Sequence, residues 1–231
     1  SSLVLSGGTT PERLYRHLAD TGGEGVRWER VQVLWGDERC VPPDDERSNY
    51  GLAVRSGLLG RRVAAVWRMP GESPPDEGAA AYERDLARAL AQAGRPGLDL
   101  VILGLGEDGH TASLVPGSAV LQERERLVAA TEPYDGTRRL TLTLPALLSA
   151  CVLLFLVTGE AKAEAVRRVL EGGTSAEAGV VPARLLVDLV GEAVARKGRR
   201  RGPRCVWVLD QAAASGVAAL RGRLDGDWAR A

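Results

Sequence analysis

Asp108 is followed two positions later by His110, one of only two histidines in a chain of 231 residues. An imidazole has an ordinary pKa of about 6.5, so it can take a proton from water near neutral pH, and a neighbouring carboxylate can fix its tautomer. The setting supports that use. An apolar, β-branched run, Leu100 to Leu103, reads as a buried strand and empties into a glycine-rich turn carrying Asp108, Gly109 and His110. In an open α/β sheet, ligands bind in the crevice outside the carboxyl ends of the strands. The other histidine, His17, falls on the polar face of a helix and reads as surface.

A second set of charges ends a second apolar strand, Val31 to Trp35, as Asp37, Glu38 and Arg39. Arg39 can grip a phosphate bidentately or steady a developing oxyanion, and its planar fork suits either task. Glu38 is expected to position Arg39 by a salt bridge. The competing reading of the trio is a solvated strand-end cluster. A third set is the small-residue turn Ser6, Gly7, Gly8, Thr9, Thr10, Pro11 after the first strand. Such a turn lets backbone N–H groups approach an anion, and the helix it opens adds its positive end. No Gly-Lys-Ser/Thr follows, so it is not a P-loop, and a plain strand-to-helix turn is the alternative. Lys162 stands out because only it and Lys197 are lysines among 30 basic residues.

Gly104, Gly106 and Gly109 match G-x-G-x-x-G after a strand, the fingerprint of dinucleotide binding. The context fails, because the motif lies mid-chain and Pro116 interrupts the helix it should open. No nicotinamide cofactor is expected.

Composition narrows the function classes. A hydrophobic content of 45% suits a globular enzyme with a real core. Net charge is zero, so no global field draws in nucleic acid or a membrane surface, and an anionic substrate must be caught locally. The one basic run, residues 197 to 204, lacks interleaved aromatics and reads as a solvated loop. No apolar run approaches the ~18 residues of a membrane span. Cys40, Cys151 and Cys205 are odd in number and widely spaced, which favours a reducing cytoplasm over disulfides or a zinc site. The chain starts almost inside a strand, so residues are expected to precede it, and its N-terminal targeting is unread.

The positioning elements follow from periodicity and punctuation. Strands are expected at Leu3 to Leu5, Val31 to Trp35, Val63 to Trp67, Leu100 to Leu103, Leu127 to Ala130, Arg139 to Leu144, Cys151 to Val157 and Val206 to Leu209. Helices are expected from an N-cap at Thr10, from Ser48 to about Leu59, from Asp76 to Ala93, from Glu160 to Leu170 and from Pro182 to Arg196. A turn of helix is expected at Pro145, and a closing helix from Asp210 onward. This alternation predicts an α/β fold, three-layer α/β/α with a mostly parallel, Rossmann-like sheet. No repeat or boundary divides it, so residues 1–231 are expected to form one domain. Trp28, Trp35, Trp67, Trp207 and Trp228 are expected in packing roles rather than as a sugar-stacking platform.

Eight segments, in order and across nearly the whole chain, are similar to 6-phosphogluconolactonases. They are Leu5 to Pro11, Gly36 to Arg39, Ser48 to Tyr50, Leu103 to Pro116, Arg139 to Pro145, Val157 to Gly159 with Lys162, Pro182 with Ala183, and Trp207 to Ala213. The resemblance implies the fold of glucosamine-6-phosphate deaminase, with no metal and no organic cofactor. It implies hydrolysis of 6-phosphoglucono-δ-lactone to 6-phosphogluconate in the oxidative pentose phosphate pathway, in the cytoplasm. The partner implied is that small substrate, with no nucleic acid or membrane, and a monomer or weak dimer is expected. His110 is then the general base, oriented by Asp108, with Asp37 and Arg39 at the same crevice. The 6-phosphate falls to Ser6, Gly7, Gly8 and Thr9, with Arg39, Arg139 and Lys162 nearby. Asn49 contacts a sugar hydroxyl or caps a helix. Thr9 departs mildly from the serine usual there, and the stretch between Pro182 and Trp207 looks long, so nothing is carried onto it. Two alternatives remain: a deaminase-like isomerase, whose loop would carry an extra acid where this chain has Ala112 to Pro116, and a non-catalytic sugar-phosphate binder.

Overall fold

The structure, a computed structural model, describes residues 1–172, 179–197 and 202–218. Six strands form one parallel sheet: β1 (Ser2–Leu5), β2 (Gln32–Trp35), β4 (Ala65–Trp67), β5 (Leu100–Leu103), β8 (Val152–Val157) and β9 (Arg204–Leu209). Their spatial order is β4-β2-β1-β5-β8-β9. The short apolar runs make this arrangement sensible, since strands buried on both faces need no polar alternation. Val4, Leu5, Val33, Leu34, Val101, Leu103, Leu153 and Phe155 all lie in the core.

The order carries the functional consequence. From β1 the chain moves outward through β2 to β4, and it then returns to β5 on the other side of β1 before continuing to β8 and β9. The carboxyl ends of β1 and β5 therefore face connections that depart in opposite directions, which opens a crevice between them. The turn after β1 is the Ser6–Pro11 segment, and the turn after β5 holds Asp108 and His110.

Around this sheet lie α1 (Thr9–Thr21), α2 (Asn49–Arg55), α3 (Pro75–Ala93), α4 (Leu144–Leu148), α5 (Ala163–Leu170), α6 (Pro182–Lys197) and α7 (Gln211–Ala214). Several boundaries differ from the sequence reading: the strand expected from Val63 starts at Ala65, and the one expected to reach Leu144 stops at Leu142, with Leu144 opening α4. Helix α1 is capped at Gly8 rather than Thr10, because the chain turns at Gly8 (φ 105°) and the Thr10 hydroxyl bonds Thr158 across the crevice at 2.7 Å. Helix α2 ends at Arg55, well before Leu59, because Gly57 adopts a left-handed conformation (φ 79°) that reverses the chain. Residues 198–201 of the basic run lie outside the described residues, as does Trp228. The other four tryptophans pack as expected: Trp28 and Trp35 are buried, Trp67 donates to Gln32, and Trp207 stacks on Phe155 with centroids 4.2 Å apart. No helix among the described residues is long and apolar enough to cross a membrane.

A second sheet was not foreseen. Strands β3 (Asp37–Arg39), β7 (Arg139–Leu142) and β6 (Val128–Ala130) pair antiparallel in the order β3-β7-β6. Thus Asp37–Arg39 is not the loose end of β2 but a strand of its own. Gly36 makes the transfer: its N–H bonds the Leu5 carbonyl of the parallel sheet, and its carbonyl accepts from Leu142 of the small one, both at 2.8 Å. The small sheet packs under α3.

Two buried tyrosines finish the strand ends beside the crevice. The Tyr15 hydroxyl accepts from the Ser6 N–H at 2.9 Å and donates to the Ser6 carbonyl at 2.8 Å. Tyr82 does the same for both backbone groups of Trp35 at 2.9 Å. Tyr15→Phe is expected to leave a buried peptide group unpaired and to lower unfolding stability by about 1–3 kcal/mol. Urea denaturation checks this, and an unchanged midpoint contradicts it.

Candidate functional site

An open cleft of roughly 230 Å³ lies at the β1/β5 switch point, where open α/β sheets bind their ligands. Its walls include Ser6, Gly7, Gly8, Thr9, Asp37, Arg39, Asn49, His110, Arg139 and Lys162. Of the catalytic and substrate-binding residues expected from sequence, Asp108 alone is not in its lining, and it touches His110, which is; Glu38, expected to position Arg39, lies behind the wall against Asn49.

His110 is half-buried and its Nδ1 lies 2.7 Å from Asp108 Oδ1, which also accepts the His110 backbone N–H at 3.0 Å. The carboxylate's second oxygen accepts from the Tyr134 hydroxyl at 3.2 Å. Burial pushes the Asp108 carboxyl up, but the His110 amide, the imidazole and Tyr134 outweigh it and hold the group below the usual range. An ionised carboxylate on Nδ1 leaves Nε2 as the ring nitrogen available to a water. The turn is built for this contact: a Cβ on Gly106 would sit 2.1 Å from His110 Nδ1. Gly109 needs its positive φ of 88° and packs against Val181.

Arg39 and Arg139 are direct register partners across the β3/β7 pair. Like charges so placed repel unless something between them compensates. Arg139 is 6% exposed, and its pKa is lowered by burial, with Asp37 opposing and the Arg39 charge adding to the fall. Neither guanidinium forms an ion pair with a carboxylate among the described residues. The Nε atoms of both are buried without a partner, as are Ser6 Oγ and Asn49 Oδ1. Four unsatisfied polar atoms on one cleft mark a surface made for a polar ligand.

Glu38 does not form the expected salt bridge with Arg39. Its buried carboxylate accepts from the backbone N–H groups of Arg39 (2.8 Å), Asn49 (2.7 Å) and Tyr50 (2.8 Å) and from the Ser48 hydroxyl (3.0 Å). It thereby joins β3 to the start of α2, where negative charge is favoured. Burial still raises its pKa despite those four donors. Asp37 lines the cleft, but both oxygens are committed, one to Asn49 at 3.1 Å and one to Ser113 at 2.6 Å. Asn49 also donates to the Asp37 carbonyl at 2.9 Å, so it spans β3 and the glycine turn rather than capping α2, which Ser48 does. A Cβ on Gly7 would lie 1.9 Å from Asn49 Oδ1, so only glycine fits there.

Lys162 lies in the turn between β8 and α5, its ammonium 3.9 Å from the exposed Glu107, a pairing of little energetic weight. It faces the same cleft as the first residues of α1, whose N-terminus carries no side-chain cap. The cleft thus presents a held imidazole, three cations and an uncapped helix end. Tyr134 is the residue missed from sequence; the Asp135-Gly136 pair after it was the available signal, since that dipeptide marks a two-residue hairpin.

The chain is similar to known proteins along most of its length. Residues 1–194 match the family model of glucosamine-6-phosphate isomerases/6-phosphogluconolactonase. The chain is 37% identical over 171 residues to the 6-phosphogluconolactonase of Treponema pallidum, covering 72% of this chain and 71% of that one. It is 39% identical over 220 residues to that of Rattus norvegicus, covering 92% and 79%. Among solved structures, the 6-phosphogluconolactonase from Trypanosoma cruzi aligns with a TM-score of 0.74 at 27% identity, covering 94% of this chain and 84% of that chain.

The depressed pKa of Asp108 has a stability consequence. A carboxyl whose folded pKa lies below its unfolded one contributes stability above the unfolded value and loses it as pH falls through the folded value. Wild-type protein is therefore expected to lose stability relative to Asp108→Asn between about pH 5 and pH 3. Denaturant midpoints measured in parallel check this; parallel curves for the two proteins contradict it.

Proposed function

The chain belongs to the glucosamine-6-phosphate isomerase/6-phosphogluconolactonase family, and we propose that it hydrolyses 6-phosphoglucono-δ-lactone to 6-phosphogluconate. That reaction is the second step of the oxidative pentose phosphate pathway. The observation that carries the reading is the shared cleft: the imidazole after β5 and the glycine turn after β1 are about a hundred residues apart in sequence yet wall one site.

The chemistry asks for few parts. His110 Nε2 removes a proton from water as the oxygen attacks the lactone carbonyl. The negative charge that develops on the carbonyl oxygen is stabilised by a cation of the cleft, the role we give to Arg39 or Arg139. The imidazolium, held by ionised Asp108, then returns the proton to the departing ring oxygen, and the ring opens to a carboxylic acid and a hydroxyl. The 6-phosphate is held by the backbone N–H groups of Gly7, Gly8 and Thr9 at the α1 N-terminus, with Lys162 beside them. The deaminase-like reading lacks support at Ala112 and Ser113, where no acid is available and Ser113 is spent on Asp37. A pure binder has no use for a carboxylate-held base.

The direct test is acid release from freshly prepared 6-phosphogluconolactone against its spontaneous opening. His110→Ala is expected to lower kcat by about 10²–10⁴-fold with the fold intact. Near-normal turnover by that variant removes the base assignment. Lys162→Ala is expected to raise KM by about tenfold or more while kcat changes little, as for a group that binds ground and transition states alike. Equal losses in kcat and kcat/KM contradict a phosphate-binding role.

A further inference from the structure

The hairpin joining β6 to β7 reaches the catalytic loop through one side chain, Tyr134. Its position is set by local geometry. Tyr134 and Thr137 bond each other's backbones, and the two residues between them, Asp135 (φ 52°) and Gly136 (φ 74°), both have positive φ. That is the two-residue hairpin turn whose twist suits an antiparallel pair, and it demands a residue such as Asp followed by Gly. The tight turn delivers the tyrosine ring into the space between His110 and Arg139.

Three contacts meet on that ring. The hydroxyl donates to Asp108 Oδ2 at 3.2 Å, the oxygen that His110 does not use. The ring meets the imidazole at a centroid distance of 5.5 Å and an angle of 69°, an edge-on approach. The Arg139 guanidinium lies over the same ring at 5.0 Å. A carboxylate anchored at Oδ1 alone could swing about its side-chain bond and carry the imidazole with it. A donor on the second oxygen stops that rotation.

We propose that Tyr134 is a positioning residue for the base: its hydroxyl locks the carboxylate of Asp108, and its ring sets the imidazole at a fixed distance from Arg139. The proposal rests on the hydrolytic reading above. It adds a residue of the β6–β7 hairpin to a base and orienting acid that both lie on the loop after β5. Because the hydroxyl draws charge from Asp108, it also moderates how strongly that carboxylate favours the imidazolium. Removing the hydroxyl alone leaves a more basic carboxylate beside His110, so the imidazole protonates more readily. Removing the carboxylate charge does the reverse. Among the described residues, the charged groups around this pair are Arg139 and Asp135 near the hairpin, Asp37 and Arg39 on β3, Glu107 on the loop, and Lys162 and Arg168, which both contact Glu107. All belong to side-chain types whose ordinary values lie outside the window between about pH 5 and 8, where imidazole titrates.

The test is Tyr134→Phe, which keeps the ring and its contacts with His110 and Arg139. Its kcat is expected to fall about tenfold with KM nearly unchanged, as for an interaction felt in the transition state. The acid limb of its kcat/KM profile is expected to move to higher pH, whereas that of Asp108→Asn moves to lower pH. Tyr134→Phe with wild-type kcat and an unmoved limb overturns the proposal. So does a loss of activity that comes only with a lower melting temperature and no change in profile, since that reports support of the hairpin alone. To separate this from the choice of substrate, the imidazole of His110 is titrated by NMR in a His17→Ala background, where it is the only histidine. An upward shift on adding Tyr134→Phe supports the positioning role even if the lactone proves to be the wrong substrate. An identical titration overturns that role whatever the enzyme hydrolyses.

Discussion

The carboxyl ends of β1 and β2 remain open to a ligand because buried tyrosines, rather than further strand, satisfy their last peptide groups. A parallel ladder that stops inside a protein leaves N–H and C=O groups that must find partners. Tyr15 closes that requirement at Ser6, and Tyr82 closes it at Trp35. Burial pushes both phenols well above their ordinary range, so they remain neutral donors and acceptors at any working pH. With the backbone satisfied from below, Gly7 and Gly8 can turn away from the sheet, and Gly36 can send the chain into the second sheet. The crevice is held open by this device, and the side chains that line it depend on it.

Three carboxylates near the cleft show how environment divides labour among like groups. Glu38 is buried under α2 with four donors around it, and its role is to join β3 to that helix. Asp37 bonds Asn49 and Ser113, and it braces the wall of the cleft that it lines. Asp108 alone of the three has an imidazole as a donor, and its surroundings hold its pKa below the usual range. The carboxylates are thus consumed within the protein, and among the described residues the register partners Arg39 and Arg139 form no ion pair with an acid. That imbalance is a local positive field in a chain of zero net charge, and it suits a phosphorylated substrate.

The legible part of the sequence was whatever local pattern encodes. Apolar runs bounded by glycine gave the strands of the parallel sheet, and loops at their ends carried most of the cleft residues. What stayed hidden depended on partners distant in the chain. Asp37–Arg39 is three residues long and charged, so nothing local marks it as a strand; it becomes one only when Arg139–Leu142 lies beside it. The bond from Ser113 to Asp37 spans 76 positions, and that from Tyr134 to Asp108 spans 26. Sequence adjacency pairs Glu38 with the Arg39 side chain, whereas its donors are the Arg39 backbone N–H and three groups at the helix start ten to twelve residues on. Local charge pairing is a weak guide where a buried carboxylate can find backbone N–H groups instead.

The glycine pattern after β5 shows why a motif must be judged by what each glycine touches. In a dinucleotide fold, the glycines of G-x-G-x-x-G admit a pyrophosphate and a close helix. Here Gly104 has open space where a Cβ would go, so that position makes no steric demand. Gly106 lies under the His110–Asp108 contact, and any side chain would drive the imidazole off its carboxylate. Gly109 supplies a left-handed turn and a flat surface for Val181 at the start of α6. Next in line, Ala112 also takes a positive φ, 48°, without being glycine, a strained conformation of the kind that persists where surrounding structure enforces it. The enforcing groups are its neighbours, the fully buried Thr111 and Ser113, tied to Gly104 and Asp37. The loop's shape is therefore dictated by the need to hold an imidazole over the crevice, and the same spacing of glycines that elsewhere cradles a cofactor here clears room for a base.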